Sequence, residues 1–254
     1  ATYAVHETIA VDTQDNEDHT FCGIMFPVKC KDLLPLNHIV IRSVAVRGQL
    51  GPLTVWVSNK NENVNETDNN STSFRLSKSH WTKMYEKVHG PSIHTYKTLE
   101  LDPPLIMRPG EVRAIYVHST LPGDEAIVYD NAYYYLPRRA YPGGGYGNEE
   151  TTGRKPRYDD AMISIYTGRA HVSNTAFGQL PIWGWGNAWR DHREFVGQLE
   201  YGAVYQLWNP IAETRLQFGP KFTKSVYSLF MCQRKWESPL SMLPDECLFY
   251  ILHM

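Results

Sequence analysis

Apolar and polar positions alternate with a period of two through much of the first two hundred residues. Leu53-Thr54-Val55-Trp56-Val57 places Leu53, Val55 and Val57 on one face of an extended segment. Phe195, Gly197, Leu199 and Tyr201 likewise share a face opposite Val196, Gln198 and Glu200. The stretches 5–11, 21–28, 38–46, 112–118, 126–129 and 162–166 are rich in β-branched and aromatic residues. Several are apolar on both faces, as strands buried on two sides are. Gly48-Gln49-Leu50-Gly51-Pro52 predicts a tight connection, and Asp102-Pro103-Pro104 with Arg108-Pro109-Gly110-Glu111 brackets one more short strand. Short strands with Gly/Pro punctuation and no long amphipathic helix predict an all-β fold, an antiparallel β-sandwich of the jelly-roll kind over residues 1–210.

The period changes beyond Asn209-Pro210. Phe222, Val226, Leu229 and Phe230 fall at i, i+4, i+7 and i+8, one face of a helix. Pro220 suits its first turn, and Arg234-Lys235 suit its C-terminal end. A short C-terminal helical segment is therefore expected over 219–254, with the boundary between Trp208 and Gly219. Further on, Pro244 followed by Asp245-Glu246 and by apolar Leu248, Ile251 and Leu252 predicts a second helix with a one-sided apolar face.

Three long segments interrupt the strands. Residues 59–79 are polar, whereas 131–158 and 171–191 are aromatic. The former aromatic segment holds Tyr133, Tyr134, Tyr135, Arg138, Arg139, Tyr141 and Tyr146; the latter holds Trp183, Trp185, Trp189 and Arg190. Long connections are usually functional or disordered, and aromatic residues disfavour disorder. Trp, Tyr and Arg dominate the energetics of protein interfaces, and flat rings also stack on sugars. These residues are candidates for ligand or interface contacts, a protein client or a glycan being the occupants to weigh, against rings that simply cover an open end of the sandwich.

Composition narrows the function classes. The 254 residues are 42% hydrophobic and 20% charged, which permits a sizeable core, and a net charge of −2 gives no reason to expect a nucleic-acid partner. No apolar run of about 18 residues is present, so no membrane insertion is expected. Cys22, Cys30, Cys232 and Cys247 have no metal-knuckle spacing and read as reduced thiols, which points to the cytoplasm. The sequons at Asn65, Asn69 and Asn70 point the other way, to an extracellular chain. No nucleophile elbow, zinc-binding His pair, P-loop or dinucleotide fingerprint occurs. Asp159-Asp160 precedes a strand and is better explained as turn chemistry, and the acidic run 12–18 lacks the spacing of a calcium loop. No catalytic residue, metal or cofactor is expected: the chain reads as a non-enzymatic binding protein.

Leu243-Pro244-Asp245-Glu246, followed by Leu248 and Ile251-Leu252, resembles the opening of an F-box. That helical motif grips the Skp1 subunit of cullin ubiquitin ligases. The resemblance covers twelve residues, 243–254, and implies an adaptor whose Leu243, Pro244, Leu248, Ile251 and Leu252 contact a Skp1-like subunit while the sandwich holds a client protein. More loosely, Cys22 to Val28, the strand ending at Gly48, Leu53 to Val57 and Pro103 to His118 resemble in order the sandwich modules of the PHR and galactose-binding-like type. Such modules bind through loops at one end. A carbohydrate-binding module and a structural component of a larger assembly are the alternative expectations.

Overall fold

Two antiparallel sheets face one another across a common apolar core. The computed structural model describes residues 2–4, 9–16, 19–59, 77–132, 156–206, 208 and 216–252. The five-stranded sheet holds β1 (Thr2–Ala4), β2 (Ile9–Asp12), β5 (Leu36–Gly48), β8 (Ser92–Met107) and β15 (Gln198–Gln206). Its order is β1-β15-β5-β8, and β2 also pairs with β15. The ten-stranded sheet holds β3 (His19–Phe21), β4 (Gly23–Cys30), β6 (Gly51–Ser58), β7 (Trp81–His89), β9 (Val112–Ser119) and β10 (Ile127–Asn131). It also holds β11 (Pro156–Asp159), β12 (Ile163–Tyr166), β13 (Gly168–His171) and β14 (Trp189–Phe195). Its order is β3-β10-β14-β13-β4-β9-β6-β7, with β12 paired to the far half of β4 and β11 to β12.

The period-two pattern decides which side chains meet. Ile24, Phe26 and Val28 of β4, Leu53, Val55 and Val57 of β6, and Ile115 and Val117 of β9 point inward from the larger sheet. They meet Ile39, Ile41 and Val44 of β5, Leu99 and Met107 of β8, and Leu199 and Tyr201 of β15. Each such fully buried side chain stabilises the fold by about 1.5–3 kcal/mol. The expected all-β sandwich is the observed architecture.

The larger sheet is also apolar on its outer face. Met25, Trp56, Trp81, Ala114 and Tyr116 form a second cluster there, roofed by Phe177, Ala188 and Trp189. This double burial accounts for the apolar runs on both faces of β4 and β9. Gly168 opens β13 just after the break that follows β12, and the two strands pair in the same direction with successive parts of β4. A side chain at Gly168 would overlap the Met25 carbonyl.

Two expectations are corrected. Residues 195–201 are not one strand: β14 ends at Phe195, and β15 starts at Gln198 in the other sheet. The chain crosses between sheets at Gly197, whose N–H donates to Thr13 Oγ1 (2.8 Å) while the Thr13 hydroxyl donates to its carbonyl (3.0 Å). The short strand expected between Pro104 and Arg108 is the end of the 16-residue β8, preceded by a nine-residue β7. Both lie at sheet edges and expose Lys83, Glu86, Lys87, His94 and Lys97, which dilutes their alternation. The edge position also tolerates Pro103 and Pro104.

The C-terminal segment forms α1 (Pro220–Gln233), a 3-10 turn (Pro239–Met242) and α2 (Asp245–Ile251). The helix start is capped by the sandwich. Phe222 N–H donates to the Asp32 carbonyl (2.9 Å), Lys221 N–H lies 3.4 Å from Asp32 Oδ2, and Lys221 Nζ lies 3.5 Å from Oδ1. A carboxylate there suits the positive end of the helix dipole. As the sequence predicts, Phe222 and Val226 face inward, joining Trp208 and Phe218, with Phe230, Phe249 and Leu252 packed around them; Leu229, expected on the same face, is half-buried outside this cluster.

Candidate interaction surfaces

Residues 172–188 join β13 to β14 and lie as a strap over the outer face of the larger sheet. Apolar packing holds one part of it: Phe177 meets the rings of Tyr116 (5.0 Å) and Trp56 (5.4 Å) edge-on. Two buried imidazoles hold the rest. His118 Nε2–H donates to the Ser173 carbonyl (2.8 Å), and His171 Nε2–H donates to the Gly178 carbonyl (2.9 Å). Carbonyls only accept, so both protons sit on Nε2. The Tyr116 hydroxyl then donates to His171 Nδ1 (2.6 Å). Burial pushes His118 down to about 4 and His171 to about 3, the second helped by His118, so both rings are neutral at pH 7. Among the described residues, His118 Nδ1 is buried without a hydrogen-bond partner.

What the strap presents is a bent aromatic tip. Trp185 is 72% exposed and Leu180 71%. Gly184 (φ +76°) and Gly186 (φ +81°) flank Trp185 in the left-handed region that favours glycine. Gly184 N–H closes a turn onto the Pro181 carbonyl (2.9 Å), and Ile182 N–H donates to the Val172 carbonyl (2.9 Å). Trp183 is half-buried behind the tip, 6.1 Å from Phe21 and 6.1 Å from Trp185 at a 48° tilt. The Arg190 guanidinium lies over its ring at 5.5 Å.

The candidate set thus divides. Trp185 is the exposed member, with Trp183 and Arg190 beside it. Trp189 is not part of an exposed surface: it is 5% exposed, stacked on His171 at 4.0 Å, and belongs to the outer cluster. It opens a strand whose side chains alternate between faces, so the spacing of the three tryptophans along the sequence does not put them on one surface. Tyr133, Tyr134, Tyr135, Arg138 and Arg139 lie outside the described residues, as do the sequons.

A second surface is the outer side of the helical tail. Tyr227, Met231, Trp236, Met242 and Ile251 are all exposed, Trp236 at 86% and Met242 at 87%. A groove of about 320 Å³ runs between α1 and α2, lined by Trp208, Val226, Tyr227, Phe230, Met231 and Phe249 with Arg234 and Asp245 at its polar rim. Gln233 ties the two helices together, its Nε2 donating to the Leu243 carbonyl and to Asp245 Oδ1, both at 2.8 Å. Among the motif positions, Pro244 and Ile251 are exposed and Leu243 is half-buried. Leu252 packs on the tail cluster, and Leu248 is fully buried, so it supports the helix from within. Trp236 and Met242 were not singled out from the sequence; an aromatic residue in the polar stretch Arg234-Lys235-Trp236-Glu237 was the available signal.

The remaining polar candidates have structural partners. Asp160 Oδ1 accepts from the N–H groups of Met162 and Ile163, and its Oδ2 accepts from the Tyr201 hydroxyl (2.8 Å). Asp159 pairs with Lys31 (2.7 Å), which helps to lower its pKa against the effect of burial. A buried ion triad sets Arg157 between Asp130 (3.0 Å) and Glu194 (2.9 Å). All four cysteines are free; Cys22 precedes β4 and Cys30 ends it, and burial pushes them up to about 11 and about 12. Among the described residues, no cluster of His, Cys, Asp or Glu could hold a metal, and no helix is long and apolar enough to cross a membrane. Comparison with protein-family models, with curated proteins and with solved structures found no match to this chain.

Proposed function

We propose that this chain is a non-enzymatic adaptor that binds two proteins, one on the strap of the sandwich and one on the helical tail. The observation that carries the reading is the two-sidedness of the tail. Its inner side chains cluster around Trp208 and line the groove between the helices, while Tyr227, Met231, Trp236, Met242 and Ile251 are exposed. Apolar surface of this kind marks interaction sites. The resemblance of residues 243–254 to an F-box start names the partner class, a Skp1-like subunit of a ubiquitin ligase, with Pro244 and Ile251 as contacts.

At the other site, a single projecting indole beside Leu180 suits insertion into a pocket of a client protein. A glycan platform would need coplanar exposed rings, whereas Trp183 and Trp185 are tilted by 48° and Trp189 is buried. The protein reading is favoured on that geometry. The test is co-purification of the intact chain with a Skp1-like subunit, alongside a chain lacking Pro239 to Met254. Binding that disappears with the deletion supports the proposal; binding that survives it rules out the tail as the docking element.

A further inference from the structure

Two features of the strap bear on each other. The segment that exposes Trp185 is fastened to the sheet through its carbonyls at Ser173 and Gly178, and both fasteners are histidines with no solvent exposure. The chemistry of each ring depends on being neutral. A protonated His118 would carry an N–H at Nδ1, which has no acceptor among the described residues. A protonated His171 would present an N–H to the Tyr116 oxygen, where it now accepts. The Tyr116 proton would then be displaced from the His171 acceptor, and Tyr116 is itself fully buried.

We infer that residues 172–188 form an acid-released latch, in which uptake of one proton by each of His118 and His171 frees the strap that carries Trp185. The groups facing the pair offer no compensating charge. They are the Tyr116 phenol from the sheet, with the Cys22 thiol near Tyr116, the Trp189 indole stacked on His171, and the strap's own peptide groups. Cys22 is held neutral by burial, with Asp124 adding to the effect, and among the described residues no carboxylate acts on either imidazole. His118 adds to the burden on His171, at 5.3 Å between ring centroids.

In the opened strap each histidine regains an ordinary pKa of about 6.5, so the open form binds more protons at every pH between that value and the depressed ones. With closed values of about 4 and about 3, the equilibrium between open and closed shifts roughly tenfold per histidine by pH 5.5. The product is about a hundredfold relative to pH 8. The regulatory meaning, acid control of the client contact, rests on the adaptor reading of Trp185; the latch itself does not.

Hydrogen exchange on the intact chain tests it without any partner. After correction for intrinsic chemistry, the opening constant of the Gly178, Ile182 and Gly184 amides should rise about a hundredfold from pH 8 to pH 5.5, ahead of the amides of β5 and β15. Between pH 6 and pH 4.5 the slope should approach two protons per opening. His118→Gln keeps a donor for the Ser173 carbonyl but cannot titrate, and should cut the shift to about tenfold. Should that variant not fold, the slope of the unmodified chain decides alone. A slope of one or less, or strap amides that open only together with β5, overturns the latch. Loss of client capture in Trp185→Ala is a separate result, so either idea can fail while the other stands.

Discussion

Replacing Arg157 by glutamine should destabilise the sandwich by about 3–5 kcal/mol at neutral pH, the cost of breaking a buried ion pair from one side. Its guanidinium lies 3.0 Å from Asp130 and 2.9 Å from Glu194, whose side chains are 1% and 5% exposed. Asp130 keeps the Asn16 N–H (2.9 Å) after the substitution, so the larger uncompensated burden falls on Glu194. Burial already raises the pKa of Glu194, Arg157 opposes the rise, and Asp130 adds to it. Removing Arg157 raises it further. A carboxyl with a raised folded pKa costs stability as pH climbs through that value and costs none below its unfolded pKa. The deficit of the variant should therefore be greatest at pH 7.5 and shrink toward pH 4.5, by about 1.4 kcal/mol for each unit of added shift. Urea unfolding of both proteins at the two pH values measures it, and taking the difference cancels the histidine contributions they share. A deficit under about 1 kcal/mol at pH 7.5, or one that widens on acidification, would refute the account of the triad.

Three further outcomes are expected. Thiol labelling of the native chain should modify Cys232 and Cys247, which are exposed, and spare Cys22 and Cys30, which are buried and held as thiols; labelling of all four without denaturant would contradict this. Gly168→Ala should prevent stable folding or cost several kcal/mol, read as lost soluble yield or a lowered melting temperature, because the added carbon meets the Met25 carbonyl and not a flexible side chain. Trp189→Ala should cost about 3–5 kcal/mol by emptying the outer cluster, whereas Trp185→Ala should leave thermal stability within about 0.5 kcal/mol. Equal effects of the two would contradict the burial of Trp189 and the exposure of Trp185.

The fold was legible where burial is one-sided and local. Leu53, Val55 and Val57 point inward as their alternation requires, and Phe222, Val226 and Phe230 share the inner face of α1. What escaped is what the third dimension supplies. The step between sheets at Gly197 follows from the approach of Thr13, 184 residues away in sequence. The length of β7 and β8 is hidden because edge strands need little alternation to be stable in a sheet. The aromatic candidates were found as a cluster in sequence, but their division was not. Trp183, Trp185 and Trp189 lie within seven residues of one another, and a turn at Gly184 and Gly186 followed by a strand sends them to different surroundings. The histidine pair was unreadable for the same reason. His118 and His171 are 53 positions apart and become neighbours only because β13 and β9 both pair with β4.

Hydrogen-exchange footprinting of the intact chain, with and without a purified Skp1-like subunit, tests the two-surface account most directly. Protection should appear in residues 227–251, across the outward side of α1 and α2, while the strap around Trp185 exchanges as before. Protection spread over the strap, or none in the tail at saturating subunit, would contradict it.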